Sequence, residues 1–224
     1  MSFLLGELPW PDTRYQLMQA KASIIPVGGI VQHGPHLPLE NDSIAAEYYA
    51  RQVATRLYPY IIVTPTLSIG VAGANMATAG TLTLTPETLT AVAFDLAASL
   101  SKHGLKKIIF YNGHEENKEA LEAAVERLKK ELNLDTKVIN LRELYPAKGE
   151  EFLGTKDWSH ASELETSEAL YISPERVKKD RTATADNILG VKGKASSATV
   201  EKGQRLVTSL VEIIVRLTED FMLR

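Results

Sequence analysis

Two short polar stretches hold residue types that bind metal ions. One is Gln32-His33-Gly34-Pro35-His36 running on to Asp42, and the other is Asn112-Gly113-His114-Glu115-Glu116. Imidazole and carboxylate donors suit zinc, manganese and iron. The chain has no cysteine, so thiolate nucleophiles, disulfides and cysteine-based zinc sites are excluded. A cation needs its donors within about 2.0–2.2 Å. Residues two or three apart in a tight turn can converge on that distance, and Gly34 and Gly113 permit the sharp backbone path. His33, Asp42, His114 and Glu116 are therefore candidate ligands of a divalent metal.

Each residue also has a plainer reading. Asp42 precedes Ser43 and a helical run, so it could cap that helix instead of ligating. Glu115 and Glu116 open another helix, where carboxylates favour the positive end of the dipole; Glu115 reads as a solvated first-turn charge. His36 is a candidate for substrate contact or for a supporting hydrogen bond behind a ligand. His103 ends a helix and is assigned no function. A third stretch, Asp157-Trp158-Ser159-His160-Ala161-Ser162-Glu163, places an imidazole just before an apolar helical pattern. His160 could act as a general acid/base or as a polar cap, and Trp158 is a candidate substrate contact.

These groups need a scaffold to bring them together. Four Ile- and Val-rich runs with little alternation read as strands buried on both faces: 23–31, 60–67, 107–111 and 137–141. Helical patterns separate them at 43–58, 86–103 and 117–132, and a long one closes the chain at 200–221. Thr85 and Pro86 suit a helix start, and Gly104 a left-handed helix end. The alternation predicts an α/β fold with a mostly parallel central sheet flanked by helices. In such sheets ligands bind beyond the carboxyl ends of strands, which is where both metal-binding stretches fall. Residues 181–197 read as an irregular excursion at a rim or subunit contact.

Composition narrows the function classes. A chain of 224 residues with 44% hydrophobic and 24% charged residues fits one soluble domain over 1–224. A net charge of −3 argues against nucleic acid as a partner, which calls for clustered Lys and Arg. Met1 to Glu7 lacks the cationic and apolar regions of a signal peptide, and no apolar run approaches the ~20 residues that span a bilayer. A cytoplasmic location with no membrane partner is expected.

Taken in order, the motifs resemble the creatininase (creatinine amidohydrolase) family over nearly the whole chain. The first signature is Pro26-Val27-Gly28-Gly29-Ile30-Val31-Gln32-His33-Gly34-Pro35-His36-Leu37-Pro38, followed by Asp42. The second is Asn112-Gly113-His114-Glu115-Glu116-Asn117, and the third is His160-Ala161-Ser162-Glu163-Leu164-Glu165-Thr166-Ser167. The resemblance implies a three-layer α/β sandwich, a homo-oligomer (commonly a hexamer) and a paired centre of Zn, Mn or Fe. It implies cleavage of a C–N bond in a small cyclic amide or formamide by a metal-activated water, with formamidopyrimidine nucleotide deformylases as the nearer subgroup. By motif position, Asp42 would bridge two metals, with His33 and Glu116 on one and His114 on the other. His160 would shuttle the proton.

One departure bears on this carry-over. The family motif places a glutamate before the Gln-His pair, and here that residue is Val31. One metal keeps its ligands, while the other retains only Asp42 and His114 unless Glu40 substitutes. Val31→Glu is expected to raise affinity for the second metal. The alternative reading is a mononuclear or non-catalytic family member that binds a small molecule. The run 70–80 also departs from the family and is expected to line the substrate pocket.

Overall fold

The computed structural model describes residues 2–145 and 160–223. Its centre is a sheet of β1 (Ala22–Val27), β2 (Ile61–Val63), β3 (Lys107–Asn112) and β4 (Asp135–Asn140). The order is β2-β1-β3-β4 and every pairing is parallel. Successive side chains in a strand point to opposite faces, and both faces here are covered. Ile24 and Ile109 join the core under α2 (Asn41–Arg56) and the C-terminal helix, whereas Ile25, Ile108 and Phe110 join the core on the other side. That second core is closed by α3 (Pro86–Lys102) and α4 (Lys118–Leu132). The result is the three-layer sandwich, and it explains why the strand runs carry no polar alternation. Each fully buried Ile or Leu contributes roughly 1.5–3 kcal/mol through removal from water.

The remaining helices are α1 (Trp10–Gln19), α5 (Leu141–Leu144), α6 (Glu163–Ile172), α7 (Lys179–Thr182) and α8 (Val200–Leu223). In α8, Leu206, Leu210, Ile214, Thr218 and Phe221 are buried at helical spacing, the stripe a surface helix turns to its core. Helix α3 starts as expected, with Thr85 Oγ1 accepting from the Thr88 N–H at 3.2 Å. It is followed by Gly104 at φ +98°. Helix α1 was not legible as a helix, because Gln16 is its only buried residue. No helix among the described residues is long and apolar enough to cross a membrane.

Strand register places the chemistry. Val27 pairs with Asn112 and Asn112 with Asn140. β1, β3 and β4 therefore end level with one another, and the chain leaves all three at one edge of the sheet. The first strand is shorter than its apolar run. It ends before Gly28-Gly29, and the rest of that run belongs to the loop.

Candidate metal centre

Asp42 lies at the middle of this edge. It is not a helix cap, because α2 begins at Asn41 after Glu40 and no side chain caps it. Asp42 sits inside the first turn, 1% exposed, and its carboxylate reaches both loops. Oδ1 is 3.2 Å from His33 Nε2, and Oδ2 is 2.8 Å from His114 Nδ1. His114 Nε2 in turn stands 3.7 Å from Glu116 Oε1. The two strand-end turns therefore converge as the spacing predicts.

Two glycines permit this, for different reasons. Gly34 takes φ +65°, the left-handed turn that glycine adopts without strain. Gly113 is needed for closeness, since a Cβ there would lie 2.4 Å from the Asp42 carbonyl oxygen. The loops are also laced together. Asn117, wholly buried, donates through Nδ2 to the Gly28 carbonyl at 2.8 Å and accepts from the Val71 N–H at 2.8 Å. Glu116 is held by the segment 73–75, accepting from the Ala74 N–H at 3.1 Å and from Asn75 Nδ2 at 2.9 Å. Glu115 is exposed.

The third motif arrives from the other side. Ala161 has φ +54°, a costly conformation for a residue with a Cβ. It is held because Glu165 Oε2 accepts its N–H at 2.7 Å. This turn sets the His160 ring 4.3 Å from that of His33 and its Nε2 2.5 Å from the Gln32 carbonyl. Donor atoms of His33, His160 and Glu165 all fall within 4.8 Å of one another. His36 is wholly buried, with Nε2 2.8 Å from Thr166 Oγ1. That position suits a supporting hydrogen bond. Trp158 lies outside the described residues.

Two residues of the site escaped the reading of the sequence as individual candidates. Arg142, two residues past β4, contacts Asp42 Oδ1 through Nη2 and Glu165 Oε1 through Nη1 at 2.5 Å. Its Nε donates to the Gly113 carbonyl at 3.1 Å. Glu165 also stands 3.6 Å from His33. The strand-end rule could have flagged Arg142, while Glu165 was visible only as part of the third motif.

Electrostatics follow from this crowding. Burial would raise the Asp42 pKa, but His33 and Arg142 hold it well below the usual carboxylate range. Burial would lower that of His33, yet Asp42 and Glu165 together keep it above its ordinary value. Burial pulls His160 down, and burial with the neighbouring His33 brings His36 to about 4. A cavity of about 890 Å³ opens over these groups, with Gln32, Asp42, His114, Arg142, His160 and Glu165 on its wall. Ala74, Asn75, Ala77 and Thr78 line it too, so the run 70–80 does contribute to the pocket.

A family model described as creatinine amidohydrolase matches residues 6–218. The chain belongs to the creatininase family. It is 30% identical to a mycofactocin precursor peptide peptidase of Mycobacterium ulcerans, over 93% of this chain and 89% of that one. It is also 30% identical to a creatinine amidohydrolase of Pseudomonas putida, over 80% and 75%. A solved structure described as creatininase Mn superposes with a TM-score of 0.86 at 25% identity, covering 99% of both chains.

The donors of this creatininase-family centre fit a divalent ion. His33 Nδ1 lies 2.9 Å from the Val31 carbonyl, which can only accept. In the neutral ring Nε2 therefore keeps its lone pair, as in metal-binding histidines. His33 Nε2 and His114 Nε2 are buried with no hydrogen-bond partner, whereas Asp42 Oδ2 meets His114 Nδ1 at 2.8 Å. Unpartnered buried polar atoms are costly, and a cation beside either ring would satisfy its nitrogen. The fit does not extend to a second ion held as in the family motif. Val31 is wholly buried and offers only methyl groups. Glu40 does not replace the missing acid, because it pairs with Arg176 at 3.0 Å on the surface.

Proposed function

We propose that this chain hydrolyses a C–N bond of a small cyclic amide or formamide, using a divalent ion at the centre lined by His33, Asp42, His114 and Glu116. The observation that carries this reading is the pair of buried, unpartnered imidazole nitrogens on His33 and His114 that flank Asp42, beside a cavity with His160 on its wall. Zn²⁺ and Mn²⁺ suit the donors, and such an ion polarises a carbonyl and brings the pKa of water toward neutrality.

The chain's own residues supply the rest. His160 holds its Nε2 against the Gln32 carbonyl, which fixes the proton on that nitrogen. Nδ1 is then the base, and burial keeps the ring neutral and able to accept a proton. The proton it takes from the water that adds to the carbonyl carbon is returned to the leaving nitrogen as the C–N bond breaks, leaving a carboxylic acid and an amine. Glu165 steadies the His160 turn through the Ala161 N–H and anchors Arg142. The test is an assay of zinc- or manganese-loaded protein against creatinine and formamidopyrimidine ribonucleotide. Turnover of either supports the reading, and turnover of neither removes both named substrates.

A second reading is a peptide substrate. Two observations favour it: the similarity to mycofactocin precursor peptide peptidases, and a cavity near the upper end of common ligand-site volumes. Adding a short unstructured peptide to the same assay separates the two. A third reading, a binding protein without catalysis, draws support from Val31. Ligand-induced thermal stabilisation without turnover of any of these substrates would favour it.

A further inference from the structure

We infer that Arg142 is a built-in cation of the centre, so that the native chain takes one divalent ion and not two. The inference rests on the proposed metal-dependent function and narrows it.

The guanidinium is fixed on three sides, by Asp42, Glu165 and the Gly113 carbonyl. Tyr145 adds a ring face 5.2 Å from its central carbon and a hydroxyl 3.4 Å from Nη1. With a side chain 18% exposed, Arg142 cannot swing into water without abandoning two buried carboxylates. It stays charged under any working condition. It therefore belongs to the site's charge balance as firmly as a bound ion would.

That balance sets the stoichiometry. Asp42, Glu116 and Glu165 bring three negative charges and Arg142 one positive, leaving two for a cation to neutralise. One divalent ion does so. A second would leave excess positive charge in a largely buried site, where uncompensated charge is strongly disfavoured. The sequence is consistent with this at both positions. Val31 withholds a fourth carboxylate, and Arg142 occupies an oxygen of Asp42, the residue on which two ions would have to meet. Arg142 is a positioning residue here. It acts through the carboxylates and requires no contact with substrate.

The experiment is equilibrium dialysis of the full chain against Zn²⁺ and, separately, Mn²⁺, with metal per chain measured by elemental analysis. Wild type and Arg142→Lys should bind one ion. Val31→Glu should bind a second only weakly, and Val31→Glu combined with Arg142→Met should bind it at least about tenfold more tightly. Circular dichroism checks that each variant folds, and Arg142→Gln, which keeps donors for Asp42, replaces the methionine variant if it does not. Two tightly held ions on wild type would overturn the inference. So would equal second-ion affinity with and without the guanidinium. No ion at all on wild type would instead overturn the proposed function beneath it.

Discussion

Asn117 donates to the carbonyl of Gly28 across 2.8 Å, joining the loop after β3 to the residue that follows β1. Its carbonyl oxygen accepts from Val71, so one wholly buried amide fixes the relative position of three loops. Asn117→Ala would leave the Val71 N–H and the Gly28 carbonyl buried without these partners. The expected loss is about 2–6 kcal/mol of stability, at about 1–3 for each of the two orphaned groups. Urea denaturation measures it. Zinc affinity should fall in the same variant, since the loops carrying His33 and His114 are no longer tied.

His160→Ala separates proton transfer from ligation. If His160 only moves a proton, the variant keeps its metal content and loses roughly 10²–10⁴ in kcat. Its donor atom lies within 4.8 Å of those of His33 and Glu165, so a ligand role makes a different forecast. Metal would then be lost together with activity. Elemental analysis beside steady-state kinetics tells the two apart.

The scaffold was legible because its signals are local. Ile- and Val-rich runs announced four strands, and strand ends announced His33 and His114. What the sequence hid depends on distant partners. Arg142 meets Asp42 across 100 residues, and no spacing along the chain encodes that pairing. Asp42 reads equally as a cap or a ligand, because a carboxylate near a helix start looks the same whether it bonds to backbone or to imidazole. Helix α1 shows no apolar stripe, with Trp10 and Met18 77% and 80% exposed.

Glu168 gives a pH prediction away from the metal ligands. It is buried, accepts from Tyr49 at 2.5 Å and from Tyr145 at 2.9 Å, and burial raises its pKa above the ordinary 4.5 despite Arg142 and both hydroxyls. A raised native pKa means the native state binds this proton more tightly than the unfolded chain. Its stabilising contribution is complete below about 4.5 and is lost as pH rises through the higher native value. Glu168→Gln should therefore gain on wild type as pH climbs from 4 to 7. Thermal midpoints across that range check it, and a constant difference between the two proteins would contradict the raised pKa.

Gly113→Ala tests whether close approach, more than turn geometry, brings the two halves of the site together. The added methyl would lie 2.4 Å from the Asp42 carbonyl oxygen and 3.4 Å from Ala46 Cβ. The first is a backbone atom that no rotamer change can move aside. Either β3's loop or the start of α2 must shift, at a cost of typically about 1–3 kcal/mol for overpacking. Because His114 follows Gly113 and Asp42 opens α2, the shift falls on the contact between His114 Nδ1 and Asp42 Oδ2. Zinc affinity should thus drop more than the stability loss alone would suggest. In Gly203→Ala the added group would meet the Ser167 carbonyl oxygen, a comparable backbone clash on α8, away from the loops that carry His33 and His114. Comparing zinc dissociation constants of the two variants at matched stability decides the point. Equal losses would mean that Gly113 matters only to the fold.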